Sequence, residues 1–191
     1  MNLQMLKTKV RLWSLELVYK LRRNRQIKKS ETRINLGCGT DKVLGFYNLD
    51  IDPSCKPDII ADARNFQDLF EYESVNEIRG IHILNYLTHN EAISFFRECH
   101  KLLNEKGSLV LEGPDLRKIL FKYMNNDPNA IFAIFATNKN GPTHKIPYLH
   151  AWDSQVLVDR LKEIGFSTVV LGLPQTHGKQ EDRDFRVIAS K

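Results

Sequence analysis

Residues 34–39 read Ile-Asn-Leu-Gly-Cys-Gly, a short apolar run that ends in two glycines one residue apart. A run of this length bounded by turn residues signals a buried strand. Glycine directly after it frees the backbone to turn and lets a ligand approach where no Cβ intrudes. A lone Gly-x-Gly serves many tight turns, so its weight comes from the residues beyond it. Eleven residues after Gly39 a second strand signal, Phe46–Asp50, closes on an acid, with Asp52 just after it. A carboxylate placed there accepts both hydroxyl hydrogens of a ribose.

The remaining chain keeps alternating. Asp58–Ala61 reads as a brief third strand and Glu77–Leu84 as a fourth. Thr88-x-x-Glu91 is a capping box that opens a helix with Ala92, Phe96, Cys99 and Leu103 on one face, ended by Lys106-Gly107. Ser108–Glu112 reads as a buried fifth strand, Asp115–Met124 and about 128–137 as helical, and Asn138–Trp152 as a loop or lid. Asp153 is placed to cap a helix that faces Leu157, Leu161 and Ile164 inward and stops at Gly165. Phe166–Leu171 and Phe185–Ala189 complete the pattern as strands. Such alternation predicts one α/β domain over 31–191, a mostly parallel Rossmann-like sheet with helices on both faces. Its ligands belong at the carboxyl ends of the strands.

The glycine spacing narrows the ligand. A dinucleotide fingerprint needs a third glycine three residues on, and that position is Lys42. No Gly-x-x-x-x-Gly-Lys-[Ser/Thr] loop is present either. A ribose-binding acid without phosphate machinery points to a phosphate-free nucleoside, and S-adenosylmethionine (SAM) fits that description.

Four stretches now carry a specific resemblance: INLGCG (34–39), GFYNLDID (45–52), DIIADARN (58–65) and IHILNYLTHNEAISFFRECHKLLNEKGSLVLEGPDL (81–116). The chain resembles class I SAM-dependent methyltransferases of polysaccharide and lipopolysaccharide biosynthesis, motif by motif over about residues 33–120 and more loosely through Thr143-His144-Lys145 and Leu161–Phe166. The resemblance implies a seven-stranded sheet whose last two strands form an antiparallel hairpin, and a missing or shortened helix between the first two strands. It implies that Gly37, Cys38 and Gly39 line the methionine moiety and that Asp50 holds the ribose. Asp62 would meet the adenine amino group with Ala63 and Arg64 beside it, and the backbone of His82 and Ile83 would meet the amino-acid end. Two departures stand out. The family's Leu-Glu-His is Leu84-Asn85-Tyr86 here, and its Lys-Pro-Gly-Gly turn is Asn104-Glu105-Lys106-Gly107.

Methyl transfer to an alcohol gains from a base beside the hydroxyl, because a neutral hydroxyl is a poor nucleophile. His144, His150 and Asp115 fall on segments expected at the carboxyl edge of the sheet. His144 is the preferred base and Asp115 the second catalytic candidate; ordering the lid or binding the acceptor is the alternative role of His144. Tyr148 and Trp152 suit either a sugar-stacking wall or core packing. The six histidines show no His-x-x-x-His pair, and the three cysteines no Cys-x-x-Cys, so no metal site is expected. Cys38 reads as a small loop residue and not as a nucleophile.

Charge is distributed unevenly. Residues 1–33 hold ten Lys/Arg against Glu16 and Glu31, a net of +8, while the remainder holds 18 basic and 21 acidic residues, a net of −3. Leu3, Leu6, Val10, Trp13, Leu17 and Leu21 recur at helical spacing, so residues 1–30 read as a basic amphipathic helix. That stripe suits packing on the domain, or peripheral contact with an anionic membrane on its inner face. The acidic body argues against a nucleic-acid partner. Scattered cysteines and the lack of a long apolar run suit a cytoplasmic protein. The expected activity is O-methylation of a glycan, a glycolipid intermediate or a small polar metabolite. A nucleic-acid methyltransferase tethered by the arm, or a non-catalytic SAM-binding protein, are the competing readings.

Overall fold

A computed structural model describes residues 31–135, 147–176 and 180–191, with the backbone of 137–138 and 141–142. The expected arm over 1–30 and His144 lie outside the described residues. The main sheet comprises β1 (Thr32–Leu36), β2 (Tyr47–Asp50), β3 (Ile59–Ile60), β4 (Val75–Ile81), β5 (Leu103–Pro114), β6 (Thr168–Gly172) and β7 (Asp184–Ser190). Their order across the sheet is β3-β2-β1-β4-β5-β7-β6. The first five strands run parallel, and β7 is antiparallel to both of its neighbours. The strand order reverses between β1 and β4, which opens a crevice at their carboxyl ends.

One face of this sheet carries the apolar core. Ile34, Leu36, Leu49, Ile78, Leu109, Leu111 and Val187 are buried there with Phe66, Phe95, Phe96 and Trp152. Each such side chain contributes about 1.5–3 kcal/mol by leaving water. Helix α1 (His89–Leu102) supplies Ala92, Phe95, Phe96, Cys99 and Leu102 to that core. It starts at Thr88 because the capping box closes in both directions: the threonine accepts from the Glu91 N–H, and the Glu91 carboxylate accepts from the Thr88 N–H at 2.8 Å. Helix α2 (Leu116–Met124) is capped by Asp115, and α3 (Ser154–Ile164) by Asp153. The latter ends at Gly165, whose φ of +118° suits a residue without a Cβ. Leu157 and Leu161 are buried as expected, and Ile164 packs half-buried at the margin.

Between β1 and β2 the chain makes only turns, so no helix occupies that connection. Three expectations need correction. The first helix ends at Leu102, four residues early, because Leu103 already pairs with Val75 and the ladder resumes at Ser108 opposite Glu77. Gly107 sits in that irregularity, where a Cβ would lie 2.9 Å from the Val75 carbonyl. The segment expected to be helical over 128–137 is a single 3₁₀ stretch, Ala130–Ile134, and Thr137–Asn138 instead pairs with Gly141–Pro142. The fourth strand stops at Ile81, because His82 turns into the left-handed region and Leu84–Tyr86 forms a 3₁₀ turn.

Candidate functional site at the strand carboxyl ends

The glycine loop leaves β1 with Gly37 at φ +67° and Gly39 at φ +50°. A Cβ on Gly37 would lie 2.8 Å from Ile83 Cδ1, so the loop rests directly on the end of β4. A Cβ on Gly39 would meet nothing within 4 Å, so this glycine opens onto space that a ligand can enter. Between them Cys38 is buried, and its N–H donates to the Leu49 carbonyl at 2.9 Å. Burial, aided by the Asp50 carboxylate, pushes its thiol up to about 11. A thiol so reluctant to ionise is a packing residue and not a nucleophile.

Asp50 ends β2 beside this loop. Its Oδ2 accepts the Gly39 N–H at 2.8 Å, and its Oδ1 accepts the Asp52 N–H at 2.8 Å. A carboxylate offers about four acceptor positions, so each oxygen keeps capacity for a ligand hydroxyl. The loop is backed by two asparagines that face each other in register across β1 and β2. Asn35 donates to Asn48 Oδ1 at 3.0 Å and to the Asp41 carbonyl at 3.1 Å. Asn48 accepts from the Val43 N–H at 2.8 Å and donates to Asp58 at 2.8 Å. The Asn48 backbone N–H and side-chain amide together hold the Asp58 carboxyl below its ordinary range, against the opposing effect of burial. Sequence reasoning missed this support. Its signal was a polar residue in the middle of each of two otherwise apolar strands.

Asp62 follows β3 and is tied to Arg64, which donates its backbone N–H to Asp62 Oδ1 at 2.9 Å and contacts both carboxylate oxygens at 3.2 Å. The same guanidinium reaches Glu91 at 2.7 Å and the Tyr86 carbonyl at 3.2 Å. Ala63 packs half-buried against the core. Asp115 is 1% exposed at the end of β5, and its carboxylate caps α2 by accepting from the Arg117 N–H at 3.0 Å.

The departure at Leu84-Asn85-Tyr86 has a physical role. Asn85 is 1% exposed; its side-chain amide donates to the His150 carbonyl at 3.1 Å, and its main-chain carbonyl accepts the Leu149 N–H at 2.6 Å. It therefore fixes the path of residues 147–152. Tyr86 meets Tyr148 edge-on with ring centroids 5.1 Å apart. Burial raises the Tyr86 phenol, with a hydrogen bond from Tyr148 opposing and Asp50 adding to the rise. Burial, followed by Tyr86, raises the Tyr148 phenol, with Arg183 opposing and Asp184 adding to the rise. His150 turns its ring onto His89 and Trp152, and burial followed by His89 lowers its proton affinity. Trp152 is 1% exposed and stacks on His89, which settles it as core.

Near the carboxyl ends of the strands, Tyr86 meets Tyr148, Arg183 grips Asp184, and Asp184 lies 3.5 Å from His82. Gly39 and Asp50 are joined directly and Gly37 rests on Ile83, the neighbour of His82, while Asp62 and Ala63 follow β3 and Asp115 caps α2. A separate open cleft of about 780 Å³ lies between α1 and α3, lined by His89, Ile93, Arg97, Arg160 and Glu163.

The fold is that of the class I SAM-dependent methyltransferases. In structure the chain is similar to a SAM-dependent methyltransferase from Archaeoglobus fulgidus, at 16% identity and a TM-score of 0.60 over 92% of this chain and 94% of that one. It is similar to one from Methanosarcina mazei at 15% identity and a TM-score of 0.61, covering 90% and 96%. A protein from Pyrococcus horikoshii matches at 13% and 0.55, covering 96% and 90%. No protein-family model and no curated protein sequence matches the chain.

Proposed function

We propose that this protein is a SAM-dependent methyltransferase acting on a hydroxyl of a glycan, a glycolipid intermediate or a small polar metabolite. The observation that carries the reading is the Gly39–Asp50 hydrogen bond at the switch point of a β3-β2-β1-β4-β5-β7-β6 sheet. It sets an open glycine cradle and a carboxylate with spare acceptor capacity side by side, as a phosphate-free nucleoside requires. Asp50 would hold the ribose, Gly37 to Gly39 the methionine portion, and Asp62 with Ala63 the adenine edge. The bound cofactor supplies an activated methyl group, so the protein's own part is orientation and exclusion of water.

The paired rings of Tyr86 and Tyr148 support a polar, ring-bearing acceptor, because aromatic edges and hydroxyls suit both faces of a sugar. Isothermal titration of the full chain with S-adenosylhomocysteine (SAH), with NAD as control, tests the cofactor assignment. Micromolar binding to the first and none to the second is expected; the reverse would sink the reading.

The arm over 1–30 is proposed to bring the enzyme to membrane-borne substrate. None of the described helices is long and apolar enough to cross a membrane. Co-sedimentation with anionic liposomes should be lost when residues 1–30 are deleted.

A further inference from the structure

Helices α1 and α3 bury Phe96, Cys99, Leu157 and Leu161 in one core, yet their outer faces part to leave the cleft of about 780 Å³. Asn90, Ser94 and Arg97 follow one another at i, i+4 and i+7 on α1, so they line one wall together. Arg160 and Glu163, three residues apart on α3, line the other. Sites for small molecules run from about 300 to 1,000 Å³, so the space suits a molecule larger than a simple ion. Its lining shares no residue with the glycine loop, Asp50 or the tyrosine pair.

The charges in the cleft are unbalanced. Every other described arginine has a carboxylate partner within 4.0 Å. Arg97 has none among the described residues. Arg160 holds Glu163 at 2.5 Å through Nη1, and its Nε and Nη2 make no hydrogen bond among the described residues. One carboxylate thus faces two guanidinium groups, on a body whose net charge over 34–191 is −3. A local patch of the opposite sign concentrates anions from solution. His89 completes the lining, its ring stacked on Trp152 at 5.5 Å and edge-on to His150 at 5.4 Å.

We propose that the cleft between α1 and α3 binds a phosphomonoester, with Arg97 as the anchoring fork and Arg160, shared with Glu163, as the second. A guanidinium meets phosphate oxygens in pairs, and three terminal oxygens serve two forks where one carboxylate serves a single fork. Ser94 and Asn90 add neutral donors. The phosphate is carried by a soluble ester such as a sugar phosphate, or by the headgroup of an anionic lipid. The chemistry recognised is the same in both.

The test follows the arginine side-chain N–H signals of the full ¹⁵N-labelled chain by NMR during titration with glucose 1-phosphate at constant ionic strength, with glucose as control. The Arg97 and Arg160 signals should shift and saturate with the ester and stay still with glucose. Arg97→Gln should weaken binding by about tenfold, the loss of a charge-assisted pair of hydrogen bonds. Arg117→Gln removes an exposed charge on α2 and should leave the affinity unchanged. Glu163→Gln removes the competing anion and should tighten binding by about threefold or more, a gain that a failure to fold does not produce. Phosphatidylcholine vesicles with and without phosphatidic acid form the second arm. Ester binding that needs Arg97, with vesicle binding alike in both proteins, assigns a soluble ligand. Vesicle binding that needs both phosphatidic acid and Arg97 assigns the headgroup. Shifts that rise linearly with ester, together with vesicle binding indifferent to Arg97, overturn the site. Equal losses in Arg97→Gln and Arg117→Gln do the same, because they show general charge screening only.

Discussion

Gly39 and Asp50 are joined by a 2.8 Å hydrogen bond from the loop's N–H to the carboxylate at the end of the neighbouring strand. The same side chain therefore shapes the loop and faces the crevice, so loss of Asp50 should act twice. Asp50→Ala removes a charged acceptor worth roughly 1.5–3 kcal/mol per hydrogen bond. We expect SAH affinity to fall by at least about tenfold, as read by titration calorimetry.

The two glycines should separate stability from binding. Gly37→Ala forces a methyl to 2.8 Å from Ile83 at φ +67° and should lower the melting temperature. Gly39→Ala meets no neighbour, so its cost is the left-handed backbone alone, roughly 1–2 kcal/mol. Its methyl enters the space a ligand would use. The ratio of affinity loss to melting-temperature loss should therefore be larger for Gly39→Ala.

Asn85→Ala should release residues 147–152. Removing a buried amide that ties two segments costs about 1–3 kcal/mol. The main-chain bonds from Leu149 and His150 to residue 85 remain possible in the variant, but without the side-chain tie to the His150 carbonyl their amides should lose protection in hydrogen exchange while those of β4 and β5 keep theirs.

Acid should weaken the fold through the capping box. The Thr88 N–H, then Arg64, holds the Glu91 carboxyl down at about 2 against an ordinary 4.5. Between those values the folded state binds fewer protons than the unfolded one, so this stabilisation is present above about 4.5 and fades as pH falls toward about 2. Urea midpoints measured across that interval should decline less steeply in Glu91→Gln, which starts from a lower midpoint at neutral pH.

The cysteines should react in a set order. Cys38 and Cys99 are buried and Cys55 is half-buried, and burial raises the thiol of both buried residues. Iodoacetamide at neutral pH should label Cys55 first, and Cys99 only on unfolding.

Local signals carried much of the architecture. Thr88 with Glu91, Asp153 and Gly165 mark helix ends that the structure keeps, because capping is chemistry between residues three or four apart. The same locality explains the misplaced end at Lys106-Gly107. Leu103 belongs to β5 because of Val75, which no local pattern reveals. Gly37, Gly39 and Asp50 were legible because two short motifs and their spacing define one strand pair. The contacts of His82 with Asp184, and of Asn85 with His150, join positions far apart in sequence. Glu112 shows the same limit. It read as the end of an apolar strand, yet it is a buried carboxylate clasped by Arg186 and Thr176.

The position of β7 has a consequence for how the protein is made. It lies between β5 and β6, and β6 joins the sheet only through it. A growing chain that has emerged only through β6 has two sheet edges waiting for a strand not yet synthesised. Asp184 is the first residue of that strand. The crevice and the sheet are therefore completed by the same late event, and shortened translation products ending before β7 would expose unpaired edges prone to association.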